Sequence, residues 1–237
     1  MPRPEIAVIA GVGPGLGSGL CRRLLSAGFH VAGLARSADT LDSLKETAGG
    51  SERFLGIACD TTNERSVEDA FTDIESTLGP PRVLVYNAGH LIRGGLLDTS
   101  PEAFSDSWRI SAFGAFLCAR RAVPGMLDGA GGTLIFTGAT ASIKAAAGFP
   151  AFGSAKFALR GLAQSLAREL GPRGIHVAHV ILDGIIWSPR TRQGWPDLQD
   201  GTCLSADAIA ETYLQLIRQD RSAWTFELDL RPDVEPF

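Results

Sequence analysis

Cysteine is sparse in this 237-residue chain and forms no cluster. The four cysteines are scattered, with no C-x-x-C pair and no histidine at metal-ligand spacing: Cys21, Cys59, Cys118 and Cys203. Zinc sites and the disulfide frameworks of small secreted proteins depend on such pairs or on dense cysteine. We therefore expect reduced structural thiols, no metal site and a cytoplasmic location.

The chain also lacks a large excess of positive or negative charge and any long apolar run. The formal net charge is −4, from 22 basic and 26 acidic side chains, and neither sign forms a long run. Nucleic acids and anionic membranes attract basic surfaces, so neither is expected as a partner. No apolar run approaches the roughly 20 residues that cross a bilayer, and we expect no secretory signal ahead of the first predicted strand.

The apolar residues, 45% of the chain, lie in short runs that alternate with amphipathic segments. The runs predict strands at 6–10, 30–35, 54–58, 83–86, 133–137 and 176–182, with a seventh near 224–232. The amphipathic segments predict helices near 16–27, 38–47, 66–78, 101–127 and 152–170. This alternation predicts an α/β fold with a parallel sheet covered by helices on both faces. Without a long linker or an internal repeat, residues 1–237 are expected to form a single domain.

The join between the first predicted strand and the first predicted helix is rich in glycine. It contains Gly11, Gly13, Gly15, Leu16, Gly17 and Gly19. Glycine lets a backbone turn sharply and approach a pyrophosphate, whose charge then rests on the N-terminus of the following helix. The spacing G-x-x-x-G-x-G fits from position 11, and a shifted match starts at position 13. We predict a dinucleotide-binding loop; a flexible loop without a ligand is the alternative.

Two further motifs indicate a family. Asn87-Ala88-Gly89 follows the fourth predicted strand, and Phe152 and Lys156 lie four residues apart on a predicted helix. In this order and spacing, the motifs and the glycine loop resemble the short-chain dehydrogenase/reductase family over nearly the whole chain. The resemblance implies a Rossmann-type doubly wound sheet of about seven strands that binds a nicotinamide dinucleotide. It also implies a homodimer or homotetramer formed through the helices predicted at 101–127 and 152–170.

The family's catalytic residues are mostly replaced in this chain. Members carry a tetrad of Asn, Ser, Tyr and Lys, in which the Tyr hydroxyl is the general acid or base. The resemblance places Ser111 at the Asn position, Ala139 at the Ser position and Phe152 at the Tyr position. Only Lys156 is retained, and neither of the two tyrosines of the chain falls at the Tyr position. Ordinary alcohol dehydrogenation is therefore disfavoured, whereas dinucleotide binding is expected.

The resemblance also assigns residues to the cofactor. The acidic Asp60 falls where members hold the adenine edge, Lys156 where they bind the nicotinamide ribose, and Ser188 where they bind the carboxamide. Besides the glycine loop, the implied set is Asp60, Thr61, Asn87, Ala88, Gly89, Lys156, Gly184 and Ser188.

The second predicted strand, 30–35, ends without a carboxylate and is followed by an arginine. Arg36 and Ser37 stand where NAD-binding proteins place an acidic residue that binds the ribose hydroxyls. A guanidinium forms charge-assisted bonds to phosphate, which NADP carries at this ribose. We expect NADP(H) in preference to NAD(H); a merely solvated arginine is the alternative. Pro14 departs from the family pattern, since members that bind this phosphate often carry a second basic residue there.

A few polar residues are candidates for the missing acid. Asp183 would lie beside the nicotinamide; alternatively, it caps backbone N–H groups at the end of a strand. Thr140 and Ser142 flank the lost Ser, and hydrogen bonding within a turn is their alternative role. The histidines form no Ser-His-Asp set and no metal cluster.

Three functions remain open at this point. The leading one is an NADP-linked oxidoreductase of atypical mechanism, in which water, Asp183 or the substrate itself supplies the proton. The others are a non-redox catalyst of cyclisation, isomerisation or elimination, and a catalytically silent NADP(H)-binding or regulatory protein. Trp187 and Trp195 fall in the segment that covers the substrate in the family. They favour a bulky or aromatic small molecule, although core or interface packing explains them equally well.

Overall fold

Seven parallel strands form one sheet in the computed structural model, which describes residues 5–47, 52–195 and 197–235. The strands are β1 (Ile6–Ala10), β2 (His30–Ala35), β3 (Phe54–Ala58), β4 (Val83–Tyr86), β5 (Gly132–Thr137), β6 (Ile175–Leu182) and β7 (Glu227–Leu230). Their order across the sheet is β3-β2-β1-β4-β5-β6-β7. The predicted α/β class and the doubly wound seven-stranded sheet are confirmed, and a single domain over residues 1–237 stays a prediction.

Helices pack on both faces of the sheet. They are α1 (Leu16–Ser26), α2 (Ala38–Thr47), α3 (Glu64–Thr77), α4 (Pro101–Trp108), α5 (Gly114–Asp128), α6 (Pro150–Leu170), α7 (Pro189–Gly194) and α8 (Ala206–Ile217). One core lies between the sheet and α1, α2 and α8, and the other between the sheet and α3, α5 and α6. Strands such as β1 and β4 are buried at every position because helices cover both sides, which explains their uninterrupted apolar sequences. Within the described residues, no helix has the length and apolar character needed to cross a membrane.

The segment predicted as one helix over 101–127 is interrupted by a π-helical turn at Arg109–Phe113. The Tyr86 hydroxyl, at the end of β4, donates a hydrogen bond to the Ile110 carbonyl inside this turn. A Cβ on Gly114, the first residue of α5, would lie 2.9 Å from the Thr61 carbonyl oxygen. The widened turn thus fits around Tyr86, and such turns often occur at functional sites.

The loops that matter for ligand binding meet where the strand order reverses. β1 pairs with β2 on one side and with β4 on the other, and Ala10 is in register with Tyr86. The next residues along the chain, Gly11 and Asn87, therefore leave the sheet side by side at its carboxyl edge. In open parallel sheets this reversal creates the crevice in which ligands bind.

Candidate functional site

The glycine loop after β1 packs closely on the loop after β4. Gly11 has a φ of +92°, and a Cβ there would lie 2.6 Å from the Cα of Ala88. A Cβ on Gly17 would lie 2.6 Å from the Cα of Val12. Positions 11 and 17 therefore require glycine. A Cβ on Gly13 would meet nothing within 4 Å, so the backbone there borders open space that a phosphate can enter.

Helix α1 starts in this loop without a side-chain cap. Its N-cap residue, Gly15, has no side chain that could bind the first amides, and its first turn holds no acidic residue. The first N–H groups of a helix have no intrahelical acceptor, and together with the helix dipole they attract anions. The loop therefore fits a pyrophosphate both in space and in hydrogen-bond donors.

Asn87 connects the two loops. Its Nδ2 donates to the Gly11 carbonyl at 2.9 Å, and its backbone N–H donates to the Ala10 carbonyl at 2.8 Å. Gly89, two residues further on, leaves room for α6: a Cβ there would lie 3.3 Å from Nζ of Lys156. The Asn-Ala-Gly motif thus brings the glycine loop and the lysine together.

Lys156 is the one buried lysine among the described residues, at 4% exposure. Its Nζ donates to the Thr137 carbonyl, at the end of β5, at 2.8 Å. Burial lowers the pKa of this ammonium from 10.5 to about 8. A buried ammonium with one protein acceptor keeps donors for further partners, such as the hydroxyls of a ribose.

The residues predicted at the lost catalytic positions present no accessible hydroxyl. Phe152 is half-buried, with its ring centroid 5.8 Å from Nζ of Lys156. Ala139 is extended and half-buried, and its N–H donates to the Ser142 hydroxyl at 3.1 Å. Ser111 is fully buried in the π-helical turn, where its hydroxyl has no partner in the described part of the chain. This side of the site is therefore lined by a methyl group and a phenyl ring.

Asp183, directly after β6, is 9% exposed and is held through both carboxylate oxygens. Thr140 donates its hydroxyl proton to Oδ1, and Arg231, just beyond β7, lies 2.9 Å from Oδ2. The Asp183 N–H donates to the Leu230 carbonyl at 2.8 Å, so β7 also fixes its backbone. This carboxylate is an ion-paired acceptor.

The predicted adenine and ribose residues lie at the other end of the crevice. Arg36 and Ser37 follow β2 and are exposed. Asp60 follows β3, is exposed, and accepts hydrogen bonds at Oδ1 from the N–H and the hydroxyl of Thr62, at 2.9 and 2.8 Å. The side chain of Thr61 is buried, and its hydroxyl bonds to Tyr86 at 3.2 Å, so it faces the core.

Ser188 and Gly184 border the site from the segment after β6. The Ser188 hydroxyl caps α7 by accepting the Thr191 N–H at 3.1 Å, and a Cβ on Gly15 would lie 3.3 Å from the Cβ of Ser188. Gly184 has a φ of +149°, and a Cβ there would lie 2.9 Å from Cδ of Pro232. The segment after β6 therefore closes over the glycine loop, and the C-terminal tail packs against it.

A cleft of about 290 Å³ opens beside the glycine loop, between α1, α7 and α8. Gly15 and Ser18 line it from α1, and Trp187 and Ser188 line it from the segment before α7. Trp195, the second tryptophan of that segment, is 44% exposed. One of the two tryptophans therefore borders the cleft.

Two features of the site were missed by the sequence reasoning. Arg231 falls in the segment 224–232 predicted as a seventh strand, and no local pattern connects it with Asp183. His179 lies fully buried on β6 with its Nδ1 2.9 Å from Glu227, which also forms two bonds of 2.7 Å with Arg160. Burial lowers the pKa of His179. Its location among apolar strand residues was visible in the sequence, but its partner on β7 was not.

These loops, which meet at the reversal of a parallel sheet around an uncapped helix N-terminus, define a dinucleotide-binding protein. The sequence model of the family described as short chain dehydrogenase matches residues 5–197. The chain belongs to that family, whose members are oxidoreductases that bind nicotinamide dinucleotides and act on small molecules.

Individual relatives agree with this assignment. A short-chain dehydrogenase/reductase of Armillaria gallica is 32% identical over 177 residues, which are 73% of this chain and 68% of that protein. The crystal structure of a short-chain dehydrogenase from Rhodopseudomonas palustris is 33% identical, with a TM-score of 0.80 over 95% of this chain and 98% of that one. A metagenomic short-chain oxidoreductase in complex with NADP has the same fold, with a TM-score of 0.84, 24% identity and coverage of 98% and 99%.

Proposed function

We propose that this protein is an NADP(H)-binding oxidoreductase that acts on a small organic substrate by an atypical mechanism. The proposal rests on a contrast between the cofactor side and the substrate side of one crevice. The glycine loop, Asn87 and Lys156 suit a dinucleotide, whereas Ala139 and Phe152 offer no hydroxyl to a substrate.

Each part of the bound cofactor has residues that suit it. The amides at the start of α1 would hold the pyrophosphate, Lys156 the nicotinamide ribose, Ser188 the carboxamide, and Asp60 the adenine edge. The cofactor, when bound, supplies or accepts a hydride. Lys156 would orient it through a buried ammonium that donates a hydrogen bond to the Thr137 carbonyl.

Phe152 and Ala139 deprive the site of the hydroxyls that would protonate a carbonyl substrate. In a carbonyl reduction a positioned acid protonates the developing alkoxide, and this typically contributes ~10²–10⁴-fold to the rate. A phenyl ring and a methyl group cannot supply that proton, and Asp183 is held as an acceptor by Thr140 and Arg231. With Lys156 assigned to the nicotinamide ribose, the proton would come from water or from the substrate itself.

The preference for NADP(H) rests on Arg36, which is exposed at the end of β2. Its guanidinium can pair with a 2′-phosphate, and no carboxylate takes the place of the ribose-binding acid. Calorimetric titration of NADPH and NADH should show tighter binding of NADPH, and Arg36→Ala should reduce that difference. Arg173→Ala, which removes an exposed arginine ahead of β6 at the opposite edge of the sheet, is the matched control. Equal affinity of the wild type for the two cofactors would refute the preference.

We further propose that the protein is a homodimer or homotetramer. Exposed aromatic side chains lie on α4, α5 and α6: Phe104 and Phe157 at 43%, Trp108 at 43% and Phe116 at 42% exposure. Large exposed aromatics in one region of a surface are typical of protein interfaces. Light scattering of the wild type and of a Trp108→Ser, Phe116→Ser variant tests this, and a monomeric wild type would contradict it.

A further inference from the structure

An ion pair between Asp183 and Arg231 lies on the substrate side of the crevice. The two side chains are 13% and 17% exposed, and their charged atoms are 2.9 Å apart. Arg231 also contacts Asp229 at 2.8 Å, so one guanidinium connects the end of β7 with the end of β6. A carboxylate beside a guanidinium accepts charge-assisted hydrogen bonds.

The pairing with Arg231 agrees with the direction of the hydrogen bond from Thr140. Both oxygens of Asp183 act as acceptors, one toward Arg231 and one toward Thr140, so the threonine is the donor in the bond between Thr140 and Asp183. A hydroxyl has one proton and two lone pairs. Because the proton of Thr140 is committed to Asp183, the half-buried hydroxyl can act toward a ligand only as an acceptor.

Apart from Lys156, whose ammonium is assigned to the nicotinamide ribose, the neighbouring side chains supply no donor that could polarise a carbonyl oxygen. Ala139 and Phe152 are apolar, and the Ser142 hydroxyl is fully buried and accepts the N–H of Ala139. Polarising a carbonyl oxygen requires hydrogen-bond donors aimed at that oxygen. The described residues on this side of the site instead present an acceptor.

We propose that the site recognises its substrate through a hydrogen-bond donor, either the hydroxyl of an alcohol or a protonated amine, which binds to the Thr140–Asp183 pair. Arg231 is a positioning residue that holds the Asp183 carboxylate in place as an acceptor. The inference rests on the proposed function for the location of the substrate, and it names the chemical class that this function leaves open.

Three ligands of one ring size test the inference by binding alone. Cyclohexanol and protonated cyclohexylamine carry donors, whereas cyclohexanone carries only an acceptor. We expect the two donors to bind roughly 10-fold to 100-fold more tightly than the ketone in calorimetry or ligand-observed NMR, since a hydrogen bond to a charge-linked acceptor has about this effect. The titrations are made with the protein alone and with NADP⁺ present. A ketone that binds as tightly as the donors, or no binding of either donor, would overturn the proposal.

Variants separate this role from folding. Thr140→Val keeps the shape of the side chain and removes the acceptor, so the preference for donors should disappear, whereas Thr140→Ser should retain it. Thr72→Val, on the exposed surface of α3, is the matched control for the loss of a threonine hydroxyl. Circular dichroism and thermal melting establish that each variant is folded. A folded Thr140→Val with the full preference would contradict the assignment.

Arg231 is tested by changing its charge. Arg231→Met should weaken donor binding, and Arg231→Lys should retain more of it because the positive charge remains. If NADPH does not bind but the donor preference is found in the protein alone, the proposed function fails and this inference stands. If NADPH binds and the preference for donors is absent, the proposed cofactor binding stands and this inference fails.

Discussion

The burial of Lys156 predicts a specific dependence of stability on pH. The pKa of its ammonium is about 8 in the folded protein, against 10.5 when it is exposed. Between these values the unfolded chain binds more protons than the folded one, so a rise in pH stabilises the folded state. The destabilisation due to the buried charge is fully present below about pH 8 and disappears toward roughly pH 10.5.

The size of the effect follows from the shift. Each pKa unit corresponds to ~1.4 kcal/mol, so raising the pH from about 7 to about 9.5 should recover ~2 kcal/mol of unfolding free energy. Replacing the side chain in Lys156→Met removes this contribution. It also takes a donor from the Thr137 carbonyl, at a cost of ~1–3 kcal/mol that does not vary with pH. The pH dependence of the difference in unfolding free energy between wild type and Lys156→Met therefore reports on the ionisation of Lys156 alone.

The assay is denaturant unfolding of wild type, Lys156→Met and Lys144→Met over this pH range. Lys144 is exposed and serves as the control. The stability of the wild type relative to Lys156→Met should rise by ~2 kcal/mol with pH, and relative to Lys144→Met it should stay flat. The chain has only three lysines, so ¹³Cε-lysine NMR can follow each one separately. A Lys156 signal that titrates near 10.5, or a stability difference from Lys156→Met that does not change with pH, would refute the effect of burial on this ammonium.

Two further changes test the framework of the site. Tyr86→Phe should lower the free energy of unfolding by ~1–3 kcal/mol, because it removes the donor to the Ile110 carbonyl in the π-helical turn. Tyr213→Phe is the control, since its partner is the Thr137 hydroxyl, which can reorient. Equal losses of stability in the two variants would argue against a special role for the turn. Gly11→Ala should weaken NADPH binding in calorimetry, since a Cβ cannot fit at a φ of +92° beside Ala88. Gly161→Ala, where a Cβ meets nothing within 4 Å, should leave binding unchanged, and a Gly11 variant with wild-type affinity would contradict the fit of the loop.

Local patterns accounted for the strands and for the glycine loop. The predicted bounds 6–10, 30–35 and 83–86 are those of β1, β2 and β4, because strands buried on both faces read as short apolar runs. β3, at the edge of the sheet, also has its predicted bounds 54–58, although most of its residues are partly or fully exposed. The glycines at 11 and 17 were predicted from their spacing, since the need for a missing Cβ is a property of the local backbone.

Contacts between distant segments could not be predicted in this way. The π-helical turn at Arg109–Phe113 has a helical sequence pattern, and its widening depends on Tyr86, which lies on a different element. The pairing of Asp183 with Arg231 depends on β7 lying beside β6. Asp183 could therefore be selected from the sequence as a candidate acid, but its ion pair could not.

The lost hydroxyls are tested by the rate at which the unmodified protein oxidises NADPH in the presence of a broad panel of ketones and aldehydes. With NADPH shown to be bound, we expect rates ~10²–10⁴-fold below those of family members with the complete tetrad, because Ala139 and Phe152 cannot supply a proton. Restoring both hydroxyls in Ala139→Ser, Phe152→Tyr should add little if the pocket has been rebuilt for another substrate. Rapid reduction of simple carbonyls by the unmodified protein would show that the site does not need the hydroxyls missing at positions 139 and 152.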